Sequence, residues 1–247
     1  MVKIGRKEVM FGEPTYVIAE IGINHNGDMK IAKQLVDIAA KAGCDSAKFQ
    51  TFKETELNFK NLTYPEFTEI KKYCDSKNIQ FLSTPHSISA IDFLANLVPA
   101  YKLASPFITN DYFVKRVRMK NKPIIASTGS VSHENKRATY LEVNHFLQFI
   151  NNHIVILYCI SKYPCYNFDV DDFVKFVDYY SRYPVGISCH YPGIDFSVDA
   201  VKNGACMVEK HITLDDDFDC PDKKVSLNPD KLNELVTTIK SIDRGEL

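Results

Sequence analysis

Two apolar runs that each end in a histidine are the clearest sign of chemistry in this chain of 247 residues. The run VGISCH ends at His190, and the run MVEKH ends at His211. Each run predicts a short buried strand, and side chains alternate along a strand, so Ser188 shares a face with His190 and Glu209 shares one with His211. If these strands are parallel neighbours, the two imidazoles meet at one rim. Neutral imidazole is a common ligand of divalent metals, and two of them leave positions for water and substrate.

A pair of histidines does not establish a metal site by itself. At strand ends, such residues more often satisfy hydrogen bonds within the core or in a turn. The choice between the two interpretations therefore depends on what the other strands bring to the same rim.

Composition and charge narrow the class of protein. The chain is 45% hydrophobic and 25% charged, with 30 Lys and Arg against 31 Asp and Glu. This permits one large core and gives no electrostatic reason to expect nucleic acid or an anionic membrane as a partner. The N-terminus lacks the apolar core of a secretory signal, no run has membrane-spanning length, and the seven cysteines are scattered without a CxxC pair. We therefore expect reduced thiols and a cytoplasmic location.

An alternation of short apolar strands with amphipathic helices positions the candidate residues. It predicts an α/β protein, a single (β/α)8 TIM barrel in which residues 1–247 form one catalytic domain. Residues 1–14 are predicted to form a hairpin before it, which could plug one end of the barrel. The predicted strands are 16–22, 46–50, 81–85, 101–105, 123–128, 154–159, 185–190 and 207–212. The predicted helices are 28–42, 64–77, 87–96, 110–119, 133–150, 169–180, 194–202 and 229–242.

The ends of these strands are rich in polar residues. In TIM barrels the active site lies at the C-terminal ends of the strands. Each polar residue alone has a structural explanation, but charges within buried strands are costly unless they are paired or used. Lysines and hydroxyls together suit a phosphate and a carboxylate, and a nearby metal suggests Lewis-acid activation of a second substrate's carbonyl. The set includes Glu20, Lys48, Gln50, Ser83, Thr84, Lys102, Ser105, Ser127, Thr128, Ser161, Tyr163, Ser188, His190, Glu209 and His211.

Nine motifs at these strand ends resemble the N-acetylneuraminate (sialic acid) synthase family over residues 16–242. They are AEIGINHNGD, AKFQTFK, FLSTP, YKLAS, IASTG, YCISKYP, GISCHYPGID, VEKHITLD and CPDKKVSLNPD. The resemblance implies a metal-dependent enzyme that condenses phosphoenolpyruvate with an aldose or N-acyl sugar aldehyde. The products would be a 2-keto-3-deoxy sugar acid of the nonulosonic type and phosphate.

The same resemblance assigns roles to residues. It implies that His190 and His211 bind the metal, with Mn²⁺ as the first expectation and Mg²⁺ or Co²⁺ as alternatives. It places Glu20 near the metal and the acceptor, and it makes Glu20, Lys48 and the two histidines the catalytic set. The implied substrate-binding residues are Lys48, Thr84, Lys102, Ser105, Ser127, Ser161, Tyr163, Ser188 and Asp222.

Departures from the family pattern fall on the acceptor side. Pro106-Phe107 stands where the family has Gly followed by an acidic residue, so an acceptor contact is missing. Ser161 replaces a frequent asparagine, Cys189 replaces an aspartate, and Lys223 replaces a common histidine. The segment between residues 53 and 81 is short, and the family's antifreeze-like C-terminal domain is not in this sequence. The acceptor sugar is therefore open, and a homodimer, which the family forms, is an expectation.

Two alternative functions remain open at this stage. Lys48, Lys102 and Lys210 lie on predicted barrel strands, and a desolvated lysine can form a Schiff base, as in an aldolase. The loss of acidic residues at Phe107 and Cys189 also permits a barrel that binds phosphoenolpyruvate or a sugar without turnover.

Overall fold

The computed structural model describes residues 1–53, 61–129, 136–150 and 153–247. Residues 54–60, which belong to the short segment noted above, and the predicted start of the fifth helix at residue 133 lie outside these ranges. Two short antiparallel strands, β1 (Val2–Ile4) and β2 (Lys7–Val9), form the hairpin expected at the N-terminus.

Eight further strands form the barrel predicted from the sequence. Hydrogen-bonded neighbours are parallel, in the order β5-β4-β3-β10-β9-β8-β7-β6. Strands β5 and β6 lie beside each other and nearly close the ring. The bounds are β3 (Tyr16–Gly22), β4 (Ser46–Thr51), β5 (Gln80–Pro85), β6 (Tyr101–Leu103), β7 (Ile124–Ser127), β8 (Ile154–Cys159), β9 (Val185–Cys189) and β10 (Met207–His211).

Helices follow the strands, and several begin at side-chain caps. Asp28 accepts hydrogen bonds from the amides of Lys30 and Ile31, and Asn228 accepts one from the Lys231 amide. Gly43 ends the first helix with a φ of 82°, a conformation that favours glycine. The helices are α1 (Met29–Ala42), α2 (Tyr64–Ser76), α3 (Ile88–Leu94), α4 (Asp111–Arg118), α5 (Lys136–Leu147), α6 (Val170–Tyr179), α7 (Asp195–Lys202) and α8 (Pro229–Asp243).

The barrel interior is divided into an apolar layer and a polar layer. Along β3, for example, Tyr16 and Ile18 belong to the interior apolar cluster, while Glu20 reaches the cavity at the C-terminal rim. Val2 and Ile4 of the hairpin join the same apolar cluster, so the hairpin plugs the N-terminal end. The polar layer is thereby left facing a single open mouth.

The outer core lies between the strands and the helices. It contains the outward side chains of the strands, such as Val17 and Phe49, and the buried faces of the helices, such as Leu35 and Leu235. Within the described ranges, no helix is long and apolar enough to cross a membrane. The tight packing around the barrel fixes the strand ends on which the site is built.

Candidate active site

A cavity of about 330 Å³ opens at the C-terminal ends of the barrel strands. All twelve residues proposed from the sequence line it. They are Glu20, Lys48, Thr84, Lys102, Ser105, Ser127, Ser161, Tyr163, Ser188, His190, His211 and Asp222. Parallel strands in a barrel present these ends to one rim, which is why residues up to 202 positions apart in sequence meet here.

Two lysines and two glutamates alternate at the base of the cavity. Lys48 Nζ lies 2.6 Å from Glu20 Oε2 and 3.6 Å from Glu209 Oε2, and Lys102 Nζ lies 3.5 Å from Glu209 Oε1. None of the four side chains is more than 5% exposed. Buried charges are tolerated when they are paired in this way, so the four charges form one balanced cluster.

Burial and pairing shift the protonation of this cluster. Burial raises the pKa of Glu20 to about 7, with the attraction of Lys48 opposing the shift. Burial alone would lower the pKa of Lys48, but Glu20 and Glu209 outweigh it and raise that pKa. At Lys102 burial prevails, so the pKa is lowered. At neutral pH, Glu20 is therefore close to its midpoint and able to exchange a proton.

Hydroxyl groups accompany the two lysines. Lys48 donates a hydrogen bond to Thr84 Oγ1 at 3.1 Å, and Lys102 donates one to Ser127 Oγ at 2.7 Å. Ser105 Oγ accepts the amide of Gly129 at 3.0 Å, which fixes its position beside them. Two cations with directed hydroxyls form a site that matches an anion bearing both a phosphate and a carboxylate.

The two histidines lie together on neighbouring strands. Their ring centroids are 5.5 Å apart, and the ring of Tyr163 stacks on His190 at 3.9 Å. Nδ1 of His190 lies 2.9 Å from the carbonyl oxygen of Ile160, which can only accept, so this nitrogen carries the proton and Nε2 keeps a free lone pair. Nδ1 of His211 is buried 3.3 Å from Asp222 Oδ2 and makes no hydrogen bond within the described residues.

The pair formed by His190 and His211 is suited to binding a divalent cation. Burial lowers the pKa of His190 to about 4 and that of His211 well below its usual value, so both rings are neutral at pH 7, the form that binds metals. Within the described ranges, no group of three or more His, Cys, Asp or Glu side chains is arranged as a metal site. Two imidazoles would thus hold an ion whose other positions are left to substrate and water.

A buried asparagine supports this side of the cavity. The Asn24 side chain donates to the carbonyl oxygen of Ile212 at 2.9 Å and to Ser226 Oγ at 2.9 Å, and its Oδ1 accepts the Asp222 amide at 2.9 Å. These bonds tie the loop after β3 to the segment that carries Asp222. The NHNGD motif therefore organises the rim, and His25 accepts the Gly27 amide within it.

Seven lining residues were not proposed as site residues from the sequence, and they include Gln50, His86 and Glu209. Strand alternation indicated two of them, because Gln50 shares a face with Lys48 and Glu209 shares one with His211. His86 follows β5 and carried no periodic signal. Lys210, a Schiff-base candidate, lies outside the lining: its Nζ contacts the backbone oxygen of Tyr191.

Comparison with known proteins agrees with this geometry. Residues 56–245 match the model of the NeuB family. The chain belongs to the NeuB family. It is 34% identical to an N,N'-diacetyllegionaminic acid synthase of Campylobacter jejuni, over 94% of this chain and 77% of that protein. It is 35% identical to the uncharacterised protein MJ1065 of Methanocaldococcus jannaschii, over 98% of this chain and 75% of that protein.

A solved relative supports the same assignment. The N-acetylneuraminic acid (sialic acid) synthetase of Leptospira borgpetersenii superposes with a TM-score of 0.86 at 28% identity, covering 98% of this chain and 88% of that one. The family resemblance read from the motifs and the barrel fold are both confirmed, as is the expectation of a synthase-type enzyme. The chain spans about three quarters of the length of the curated relatives it matches.

Proposed function

We propose that this NeuB-family protein condenses phosphoenolpyruvate with an aldose or N-acyl sugar aldehyde to give a 2-keto-3-deoxy sugar acid and phosphate. The observation that carries the proposal is the meeting of two buried lysines, their hydroxyl partners and two neutral histidines in one cavity. Relatives named as legionaminic, sialic and pseudaminic acid synthases support the substrate class.

The lysine side of the cavity would hold phosphoenolpyruvate. Lys48 and Lys102 supply charge for its carboxylate and phosphate, and Thr84, Ser127 and Ser105 supply directed hydrogen bonds. Because Glu209 lies within 3.6 Å of both lysines, it keeps them in place before the substrate arrives. Holding the anion in one orientation aims its C3 carbon at the acceptor.

The histidine side would hold the acceptor aldehyde. A divalent ion, Mn²⁺ first, with Mg²⁺ and Co²⁺ as alternatives, would supply Lewis-acid polarisation of the aldehyde when bound there. His190 and His211 would ligate it through nitrogens kept neutral by burial. Tyr163, Ser161 and Asp222 surround this end of the cavity and would position the sugar.

Glu20 would act as the general base and general acid of the reaction. The C3–aldehyde bond forms, water adds its oxygen to C2, and one proton of that water reaches the aldehyde oxygen. The C2–O bond to phosphate then breaks, C2 becomes the ketone, and the second proton leaves with phosphate. A carboxyl with a pKa of about 7 can accept the proton of that water and return it, and Glu20 lies next to Lys48 at the junction of the two halves.

Phosphate release is the direct test. Purified protein with Mn²⁺ and phosphoenolpyruvate is expected to release phosphate with at least one member of a panel of aldoses and N-acyl hexosamines, and chelator should abolish it. Lys102→Met is expected to lower the rate at least a hundredfold, while Lys231→Met, an exposed lysine on α8, serves as the matched control. Folded protein that releases no phosphate with any acceptor would contradict the proposal.

The Schiff-base alternative is favoured by one observation, the lowered pKa of Lys102. Borohydride reduction in the presence of substrate separates the two mechanisms. A covalent adduct on Lys102 with chelator-insensitive turnover would establish the aldolase instead. Binding of phosphoenolpyruvate without turnover by any acceptor would establish the non-catalytic alternative.

Three further expectations belong to this proposal. Residues 1–247 are proposed as one catalytic domain, with the hairpin as its plug. A cytoplasmic location is supported by seven cysteines that are all free. A homodimer is a prediction that sedimentation velocity can check.

A further inference from the structure

His86 lies at the cavity wall with its ring fixed by aromatic neighbours. Phe52 stacks on it with a centroid distance of 4.2 Å and an interplanar angle of 16°. Phe107 meets it edge-on at 5.5 Å and 79°, and Phe107 in turn stacks on Phe113 at 4.3 Å. Rings held on two sides in this way lose little entropy on binding a ligand, so the imidazole is preorganised.

One nitrogen of this ring has no partner among the residues that the structure describes. His86 lines the cavity, and its Nε2 is buried with no hydrogen-bond partner among the described residues. A buried polar atom without a partner is destabilising, whereas aromatic packing alone would be satisfied by phenylalanine. An unpaired nitrogen in an aromatic clamp beside a substrate cavity therefore points to a ligand group that completes it.

The charge of the ring limits what that group can be. Burial, and then the positive charges of Lys48 and Lys102, lower the pKa of His86 to about 4. At neutral pH the ring is an uncharged donor and acceptor. A hydroxyl group matches both capacities.

The position of His86 on the rim indicates which substrate it meets. It follows β5, which lies between the strands of Lys48 and Lys102 and is three strands from β10 and four from β9, so it stands two residues beyond Thr84 at the rim and across the mouth from His211 and His190. A sugar whose aldehyde is at the histidine pair would direct its far end toward His86. The sequence resemblance puts Phe107 at the position of an acidic acceptor contact. Phe107 contacts His86 but is not itself one of the residues that line the cavity.

We propose that His86 is a specificity-determining residue that hydrogen bonds a hydroxyl group at the end of the acceptor remote from the aldehyde. This inference rests on the proposed function. The acceptor class is then an aldose that carries an unmodified hydroxyl at that end. His86 supplies the polar contact that Phe107 no longer provides, while Phe107 holds the imidazole in place.

Steady-state kinetics with the variant His86→Phe test this inference, because phenylalanine keeps the stack and removes the nitrogens. With the best acceptor found for the wild type, His86→Phe is expected to raise the acceptor KM at least tenfold and to change the phosphoenolpyruvate KM less than twofold. His86→Gln, which restores a donor and an acceptor, should recover the acceptor KM to within about threefold of the wild type. Phe107→Leu retains the imidazole and serves as a packing control with a smaller effect.

Deoxy acceptors identify the hydroxyl. Removing the contacted hydroxyl should raise the wild-type KM as much as His86→Phe does, and should cause no further rise in that variant. An unchanged acceptor KM in His86→Phe, or equal rises in KM for both substrates, would overturn the inference. As long as the wild type is active, either result leaves the proposed function intact. A wild type that is inactive with every acceptor overturns both.

Discussion

Removal of Lys48 tests whether the charges at the base of the cavity form one coupled cluster. In Lys48→Met, Glu20 loses a cation at 2.6 Å, and Glu209 retains Lys102 at 3.5 Å. Breaking a buried pair on one side costs about 3–5 kcal/mol. Glu20 can relieve this by taking up a proton, because burial already raises its pKa to about 7. Without Lys48 the folded carboxyl titrates above its wild-type folded value, so the destabilisation of the variant relative to wild type grows as pH rises past about 7.

The sign of the pH effect follows from that shift. Below the unfolded pKa of a carboxyl, Glu20 is protonated in both states and the loss of Lys48 has little electrostatic cost. Up to the wild-type folded pKa of about 7, Glu20 stays largely protonated in the folded state with or without Lys48, so its titration adds little to the difference between the two proteins. Above that pH, each unit by which the variant raises the folded pKa adds up to about 1.4 kcal/mol of destabilisation relative to wild type. We therefore expect the difference in unfolding free energy to be larger at pH 8 than at pH 5.

Urea unfolding of four proteins measures the coupling: wild type, Lys48→Met, Glu20→Gln and the double variant. The double variant should be more stable than the sum of the single changes predicts, with a coupling of about 1–3 kcal/mol. Lys33→Met, whose partner Glu69 is exposed, provides a surface ion-pair control with an effect below about 1 kcal/mol. Additive single changes with no pH dependence would refute the buried cluster.

The remaining predictions concern the stability of the protein and the hydrogen bonds that hold the site in place. Asn24→Ala removes three hydrogen bonds of a buried side chain, including the one from the Asp222 amide, and should lower the unfolding free energy by about 2–4 kcal/mol in urea titrations. An unchanged midpoint would contradict this role. Lys210→Met leaves the Tyr191 carbonyl without its partner and should cost about 1–3 kcal/mol, measured the same way, whereas Lys210→Arg should cost less. The pKa of His86 is lowered to about 4, so the neutral ring stabilises the folded state fully above pH 6.5 and this stabilisation is lost as pH falls toward 4. Between pH 7 and 5 the unfolding free energy of the wild type should therefore fall by about 2 kcal/mol more than that of His86→Phe. Unfolding free energies that change in parallel with pH would contradict this prediction.

Local patterns were sufficient to predict the barrel and most of its rim. Alternation put Ser188 with His190, and caps such as Asp28 and Asn228 marked where helices begin. The same alternation excludes Lys210 from the cavity, because a residue between Glu209 and His211 points to the other face of β10. The Schiff-base role considered for Lys210 therefore conflicts with strand geometry.

The ion-pair partners and the protonation states of the site residues could be established only from the folded structure. The order of strands and helices and the identity of the residues at the strand ends follow from the sequence alone, because these depend on periodicities within a few residues. The pairing of Lys48 with Glu20 and Glu209, and the neutral charge and unpaired nitrogen of His86, became visible in the folded chain. Pairing and pKa depend on distances and burial, which arise when strands remote in sequence close around a shared mouth.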